Sequence, residues 1–297
     1  TERTLRALPD SDAMFADAIS RARVVLGQSV LERTVAVAPL PSAQAGEAAA
    51  AWPKTTFAEI GGDPRPFLLA FAGVVRNLPE LERAAAGRGM VSLAPERDGI
   101  VRRVPAVLRT GADIHPAFSL ELLRVAFGAS AIAIRLSRAE RAGIENLVVA
   151  RLRVATDANG LIWLHFARHD PDRYVSAKDV LQGTLDPQLI AGKVVLVGTS
   201  AAGLKDIKAT PVDSAMPGVE VHAQVIESIL SGAQLVRPAG ADGAEFLATL
   251  LIGLAMIVLV PLLGPWWTLS IGAASLGLVG GGSWYLFAAH KQLFDAS

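Results

Sequence analysis

From Phe246 to Ala289 the chain carries no Asp, Glu, Lys or Arg, although charged residues make up 19% of the whole. Its first part, FLATLLIGLAMIVLVPLLG over 246–264, would span roughly 28 Å as a helix, close to the thickness of a bilayer core. The second, WWTLSIGAASLGLVGGGSWYLFAA over 266–289, would span about 36 Å and must tilt or fray at its ends. Gly264 and Pro265 separate the two parts, with Pro261 one turn earlier. Two transmembrane helices over 244–264 and 266–289, joined as a tight hairpin, are therefore expected rather than one long helix. Trp266 and Trp267 at one end, and Trp284 and Tyr285 near the other, suit the amphipathic rings found at lipid–water interfaces. Gly272, Gly277 and Gly280 to Gly282 leave little side-chain bulk and permit close helix approach.

A hairpin returns the chain to the side it came from. The nearest basic residues are Arg237 and Lys291, and the turn has none, so the excess of cytoplasmic cations that usually orients a span is silent. Residues 290–297 are expected to begin a further segment. A chain that starts at Thr1 without Met and stops just after the second span is expected to be a piece of a longer protein.

The remainder is bounded by composition. Only Lys291 and Asp295 lie beyond residue 245, and the whole chain balances 28 Lys+Arg against 28 Asp+Glu. The preceding part is formally neutral, which gives no support for nucleic acid as a partner. There is no Cys, which excludes disulfides, thiolate catalysis and Cys-bound zinc. No cofactor and no metal are implied. About 240 residues can bury a substantial core, and residues 1–240 are taken as one domain.

The pattern along that domain is α/β. A helical stretch near Asp12 to Arg23 leads into VVLG (24–27), and TVAVAP (34–39) is a second strand candidate. Residues 41–66, rich in Ala, Gly and Pro, read as a long loop. LPELERAAAGRG (78–89) reads as a helix stopped by glycines. GMVSLAPERDGIVRRVPAVLRTG (89–111) reads as strand, turn, strand around Asp98-Gly99. HPAFSLELLRVAFG (115–128) places Phe118, Leu122, Val125 and Ala126 on one helix face. AIAIRL, an NLVVARLRV ribbon and GLIWLHFA (160–167) are strand candidates, and SAKDVLQG (176–183) is a helix between Ser176 and Gly183. KVVLVG (193–198) is a near-continuous apolar run of the kind a strand buried on both faces shows. PGVEVHAQVIESILSG (217–232) is a helix with Val221, Val225 and Ile229 facing inward at i, i+4, i+8.

In order along the chain stand DSDAMFADAISRARVVLG, GRGMVSLAPERDGIVRRVPAVLRTGADIHPAFSLELLR, YVSAKDVLQG and GKVVLVGTSAAGLKDIKATPVDSAMPGVEVHAQVIESILSGAQLVRP. Together they resemble the CHASE domain, type 2, over most of residues 10–238. The glycine-strand-glycine run, Asp206, Thr210-Pro211 and GVEVHA carry the resemblance jointly. It implies an extracytoplasmic mixed-sheet α/β sensor domain of a bacterial receptor, followed here by a transmembrane α-helical hairpin in the cytoplasmic membrane. Members of the family usually carry one span before the domain and three after it, ahead of a cyclase, histidine kinase or Ser/Thr kinase. Only two spans follow the domain in this sequence. The resemblance also implies a homodimer, since such output modules work as dimers, with a class III adenylate or guanylate cyclase as the favoured output.

Enzyme-like motifs fare poorly. Gly198 and Gly203 have the spacing of a phosphate-binding loop, but Leu204 stands where Lys is needed and Asp206 follows Lys205. Ser200 sits in G-x-S-x-A, short of a nucleophile elbow, and the residues after it are poor helix sequence. A membrane-anchored hydrolase using Ser200 is the rival enzyme class, and a structural membrane protein without ligand is the other. His165 and His169 have the spacing of a zinc motif, but Phe166 replaces its Glu and Pro171 closes the segment.

Four polar positions remain as candidates for a small extracytoplasmic ligand. Asp206 and Thr210 lie in the loop after the apolar run, and His222 lies in the first turns of the following helix. Such positions place them near the C-terminal edge of a sheet, where α/β folds hold ligands. Asp98, beside Gly99 and before Arg102 and Arg103, is the fourth. The competing expectation is that Asp206 orders its loop, His222 bonds a backbone group and Asp98-Gly99 is a turn. Signal would leave through Val221, Val225 and Ile229, then Arg237 and Pro238, into the first span.

Overall fold

The computed structural model describes residues 10–31, 55–137, 142–200, 206–238 and 240–294. Its elements are α1 (Ser11–Ser20), β1 (Val25–Leu31), β2 (Thr56–Ile60), β3 (Ala70–Phe71), β4 (Gly73–Val75), α2 (Pro79–Ala84) and β5 (Gly87–Met90). There follow β6 (Arg103–Pro105), β7 (Val107–Thr110), β8 (Asp113–Pro116), α3 (Phe118–Ala126), β9 (Ala131–Leu136), β10 (Ile144–Val149), β11 (Leu152–Ala155) and β12 (Leu161–Trp163). The chain closes with α4 (Ala177–Gln182), β13 (Ile207–Lys208), β14 (Met216–Pro217), α5 (Gly218–Ser231), α6 (Ala241–Leu259) and α7 (Pro265–His290).

The fold is mixed α/β, with several short sheets. The largest has the order β11-β10-β9-β2, antiparallel except for the parallel pair β2 and β9. A second, β4-β1-β5, pairs β1 parallel to β5 and antiparallel to β4. A third, β3-β7-β8, and the pairs β12-β6 and β13-β14 complete the set. One apolar core joins the sheets other than β4-β1-β5, which contributes no residue to it among the described residues. Ile132, Ile134, Leu147 and Val149 come from the large sheet, Leu120 and Leu123 from α3, and Val221, Val225 and Ile229 from α5. The inward stripe of α5 is the one its spacing predicts, and Gly232 ends the helix in the left-handed region at φ 64°. Burying each of those aliphatic side chains stabilises the fold by about 1.5–3 kcal/mol before entropy is counted.

Four local expectations need correction. Residues 41–66 are not loop throughout, because β2 lies in their C-terminal part and pairs with β9. The glycines after α2 do not cap it. Gly87 and Gly89 belong to β5, a fully buried strand, and a Cβ on Gly89 would collide with the Phe118 backbone at the start of α3. They are glycine because helix and strand approach too closely for a side chain. GLIWLHFA is strand only over Leu161–Trp163. The largest correction concerns 193–198, which forms no strand. Val194 and Val195 are exposed and Val197 is 91% exposed. Residues 194–200 make no backbone hydrogen bond to another described residue. Apolar strand propensity needs a partner edge to become a strand, and no described edge meets this run. The expected strand at 34–39 lies outside the described residues.

The C-terminal helices match the expected hairpin. Both α6 and α7 are long and apolar enough to cross a membrane, and neither is buried in the protein. Their turn runs through residues 260–264, and their far ends meet. Val236 N–H, just before α6, donates to the Lys291 carbonyl at 3.0 Å, and Leu293 N–H donates to the Val236 carbonyl at 3.0 Å.

Candidate functional site

The expected ligand residues do not all share one place. Asp206 and His222 line a groove of about 950 Å³ between α1, β1, α3, residues 193–199 and the start of α5. Its walls are mostly apolar, with Arg23, Lys193 and Thr199 among them. The face that spacing picks out on α3 (Phe118, Leu122, Val125 and Ala126) is this wall, whereas Leu120 and Leu123 of the same helix point into the core. Helix α3 thus carries two apolar faces, one covered by protein and one open to the groove.

His222 is 3% exposed and sits edge-on to Phe118, with ring centroids 5.6 Å apart. Its Nε2 lies 3.1 Å from the Val91 carbonyl oxygen, so Nε2 carries the proton and donates. Burial pushes its pKa below the ordinary histidine value, which keeps the ring neutral. Nδ1 is then a buried acceptor, and no described group donates to it. Asp206 is held from its backbone, since Gly218 N–H donates to its carbonyl oxygen at 2.8 Å. Its carboxylate stands 3.6 Å from Lys208 Nζ and occupies the space a Cβ on Gly218 would need. The Gly of GVEVHA therefore leaves the space that the Asp206 carboxylate fills.

Thr210 and Asp98 lie elsewhere. Thr210 is buried and closes a turn, its hydroxyl donating to the Asp213 carbonyl at 2.8 Å and accepting from Asp213 N–H at 3.1 Å. Asp98 accepts from Ile100 N–H at 3.0 Å and pairs with Arg102 at 2.8 Å. The Ile100 amide first, and then Arg102, hold its carboxyl below the usual carboxylate range. Neither is among the residues that line the groove. Ser200 is exposed, and residues 201–205, including Leu204, lie outside the described residues. His165 and His169 part company. His165 packs at a tilt against Phe287 of α7, with ring centroids 5.7 Å apart, and His169 bonds Glu220. Among the described residues no group of His and acidic side chains is arranged to hold a metal.

From the groove α5 runs to a strap at residues 234–238. Gln234 Oε1 accepts from Ala155 N–H at 3.0 Å, and Leu235 bridges Trp163 of β12. Val236 bridges Gln292 beyond α7. Arg237 reaches forward to Asp242 at 3.0 Å and Glu245 at 2.7 Å in the first turns of α6. The Pro238 carbonyl accepts from Ala241 N–H at 2.9 Å. One short stretch thereby ties the domain to both ends of the hairpin. Spacing finds Arg237 and Pro238 by position alone. It misses Leu235, Val236, His165 and Phe287, whose partners are distant in sequence.

The CHASE2 domain model matches residues 2–260, from the N-terminal region through α6. CHASE2 domains are extracytoplasmic and sensory rather than catalytic. No curated protein and no solved structure matches the chain. With well over half of its length matched, the chain belongs to the CHASE2 domain family.

Proposed function

We propose that this chain is the input half of a bacterial transmembrane receptor, with residues 1–240 outside the cytoplasmic membrane and the 244–264 and 266–289 helices within it. The observation that carries this reading is the strap at 234–238, which hydrogen-bonds to the sensory domain, to the start of α6 and to the chain after α7. A shift of α5 relative to β12 moves the strap, and the strap moves both spans. Such a device has two arrangements whose balance a stimulus biases.

The stimulus we propose is a small molecule in the groove between α1, α3 and α5. The unpartnered His222 Nδ1 favours a ligand with an N–H or O–H to donate, since an unsatisfied buried acceptor costs about 1–3 kcal/mol. Its apolar walls favour an apolar body beside that donor. Asp98 and Thr210, both engaged in turns, hold the surrounding loops in shape. Val221, Val225 and Ile229 hold α5 on the core, and Arg237 and Pro238 pass its motion onward. A class III cyclase is the proposed output, working as a homodimer.

The test uses the full-length receptor with cyclic-nucleotide production as its readout. Asp206→Ala and His222→Ala are expected to abolish stimulus response while leaving the thermal transition in place. A large loss of stability in both variants would instead assign them structural roles and overturn the ligand groove. A kinase signature downstream of the spans would overturn the cyclase output alone.

A further inference from the structure

Helix α5 has a second face that the groove does not use. Glu220, Gln224 and Glu227 lie at i, i+4, i+7, and all three bind the segment 167–174 that follows β12. Gln224 makes a two-way bond with the Ala167 backbone, accepting from its N–H at 3.0 Å and donating to its carbonyl at 3.0 Å. Glu227 pairs with Arg173 at 2.6 Å. Glu220 is the centre of the set. Its carboxylate is 6% exposed, and Oε2 lies 2.6 Å from His169 Nδ1 and accepts from the Tyr174 hydroxyl at 2.7 Å. Gln224 Nε2 reaches Oε1 at 3.4 Å. The rings of His169 and Tyr174 lie 5.2 Å apart.

We propose that His169 and Glu220 form a proton-operated latch, which closes the 167–174 segment onto α5 when His169 is protonated and releases it when the proton leaves. A nearly buried carboxylate is costly unless a charge or several donors compensate it. Tyr174 and Gln224 supply neutral donors at any pH, whereas His169 supplies a positive charge only when protonated. His169 is also the exposed member, its side chain 38% open to solvent, so protons reach it freely. Beyond Glu220, the charges that act on it are those of Asp213 from the turn before β14 and Asp170 from its own segment, both acidic. Tyr174 packs its neutral ring against it, and Arg173 of the same segment is held by Glu227 and Asp170.

The direction follows from these groups. The Glu220 hydrogen bond chiefly, with the Glu220, Asp213 and Asp170 charges, raises the His169 pKa above its ordinary value. A raised folded-state pKa stabilises the closed form fully below the unfolded value of about 6.5, and that contribution is lost as pH rises through the folded pKa. The latch is therefore closed in acid and loosened as pH rises through the raised His169 value. Because α5 leads directly to the strap, protons constitute an input separate from any ligand in the groove.

Hydrogen exchange of the full chain in lipid nanodiscs, corrected for intrinsic rates, tests the latch at pH 5.5 and pH 8.5. Amides 168–175 are expected to be protected at the lower pH and to lose protection at the higher. In His169→Gln, which keeps a donor but no titrating charge, that step disappears. Tyr174→Phe removes a neutral donor and is expected to lower protection at both pH values while preserving the step. A wild-type chain with equal protection at both, or a pH step that survives His169→Gln, overturns the proposal.

Discussion

Helix α5 and the hairpin α6–α7 are both rich in apolar residues, and they solve the problem of covering them in opposite ways. On α5 most apolar residues form one stripe, Val221, Val225, Ile226 and Ile229, which the core covers. Its other faces carry Glu220, Gln224 and Glu227, each with a partner in the segment before α4. On α6 and α7 the apolar residues run around the whole circumference. Phe246, Leu254, Ile257 and Leu276 are all exposed in the protein. A helix with one stripe finishes its burial within its own domain, while a helix apolar all round and uncovered by that domain is of the kind that can cross a membrane. The strap joins these two environments.

The largest effect expected tests both halves of that contrast with one substitution type. Val225→Asp places a charge among fully buried aliphatics, and its cost is expected to be at least about 4 kcal/mol, enough to remove much of a domain's stability. Loss of the cooperative unfolding transition by circular dichroism checks it. Leu254→Asp, in α6, is expected to leave that transition unchanged and to lower membrane insertion by about 3 kcal/mol, read by carbonate extraction. If Leu254→Asp instead melts the domain, the hairpin is part of its core and the contrast fails.

Gly89→Ala sharpens the protein side. The added methyl meets the Phe118 backbone, which cannot swing aside as a flexible side chain would. Overpacking of this kind costs about 1–3 kcal/mol, seen as a shifted denaturant midpoint with unchanged slope. An unaltered midpoint would mean that β5 and α3 are further apart.

These elements differ in how far their sequences disclose them. The hairpin is legible because the absence of charge over a membrane length is a property of composition, independent of any partner. Helix α5 is legible because its 3.6-residue period survives in Val221, Val225 and Ile229. Strand β5 is half hidden. A strand is expected from Gly89, but Gly87 and Arg88 read as the stop of a helix, since GRGM has neither strand period nor bulk and its glycines answer to a helix roughly 30 residues later in the chain. The groove was half legible. Spacing brings Asp206 and His222 together at the edge of a sheet; the structure brings them together at the groove instead, without a strand at 193–198. Thr210 and Asp98 spend their side chains on local turns that spacing alone does not separate from ligand positions. The Glu220 cluster was hidden altogether, because its partners His169 and Tyr174 lie across several elements.

At the strap, Arg237→Gln is expected to cost under about 1 kcal/mol, since a partly exposed ion pair is weak. The thermal transition should barely move. Its effect belongs to coupling, so hydrogen exchange at residues 241–245 is expected to rise while α5 stays protected. Increased exchange in both would show that the pair holds the domain itself together.

The smallest effect expected is the most informative about residues 193–198. Like the hairpin, this run leaves apolar side chains exposed (Val194, Val195 and Val197), yet it begins with Lys193, tucks Leu196 against the core and is far too short to cross a bilayer. Val197 stands in solvent, so Val197→Ser is expected to change stability by no more than about 0.5 kcal/mol, as exposed substitutions do. Leu196, which packs against the core, serves as the paired control, and Leu196→Ser is expected to cost more. A loss at Val197 as large as that at Leu196 would mean that the run is buried on both faces as a paired strand. In that case its apolar character would be explained by protein, as for α5, and the hairpin would stand alone as the apolar part that the domain leaves uncovered.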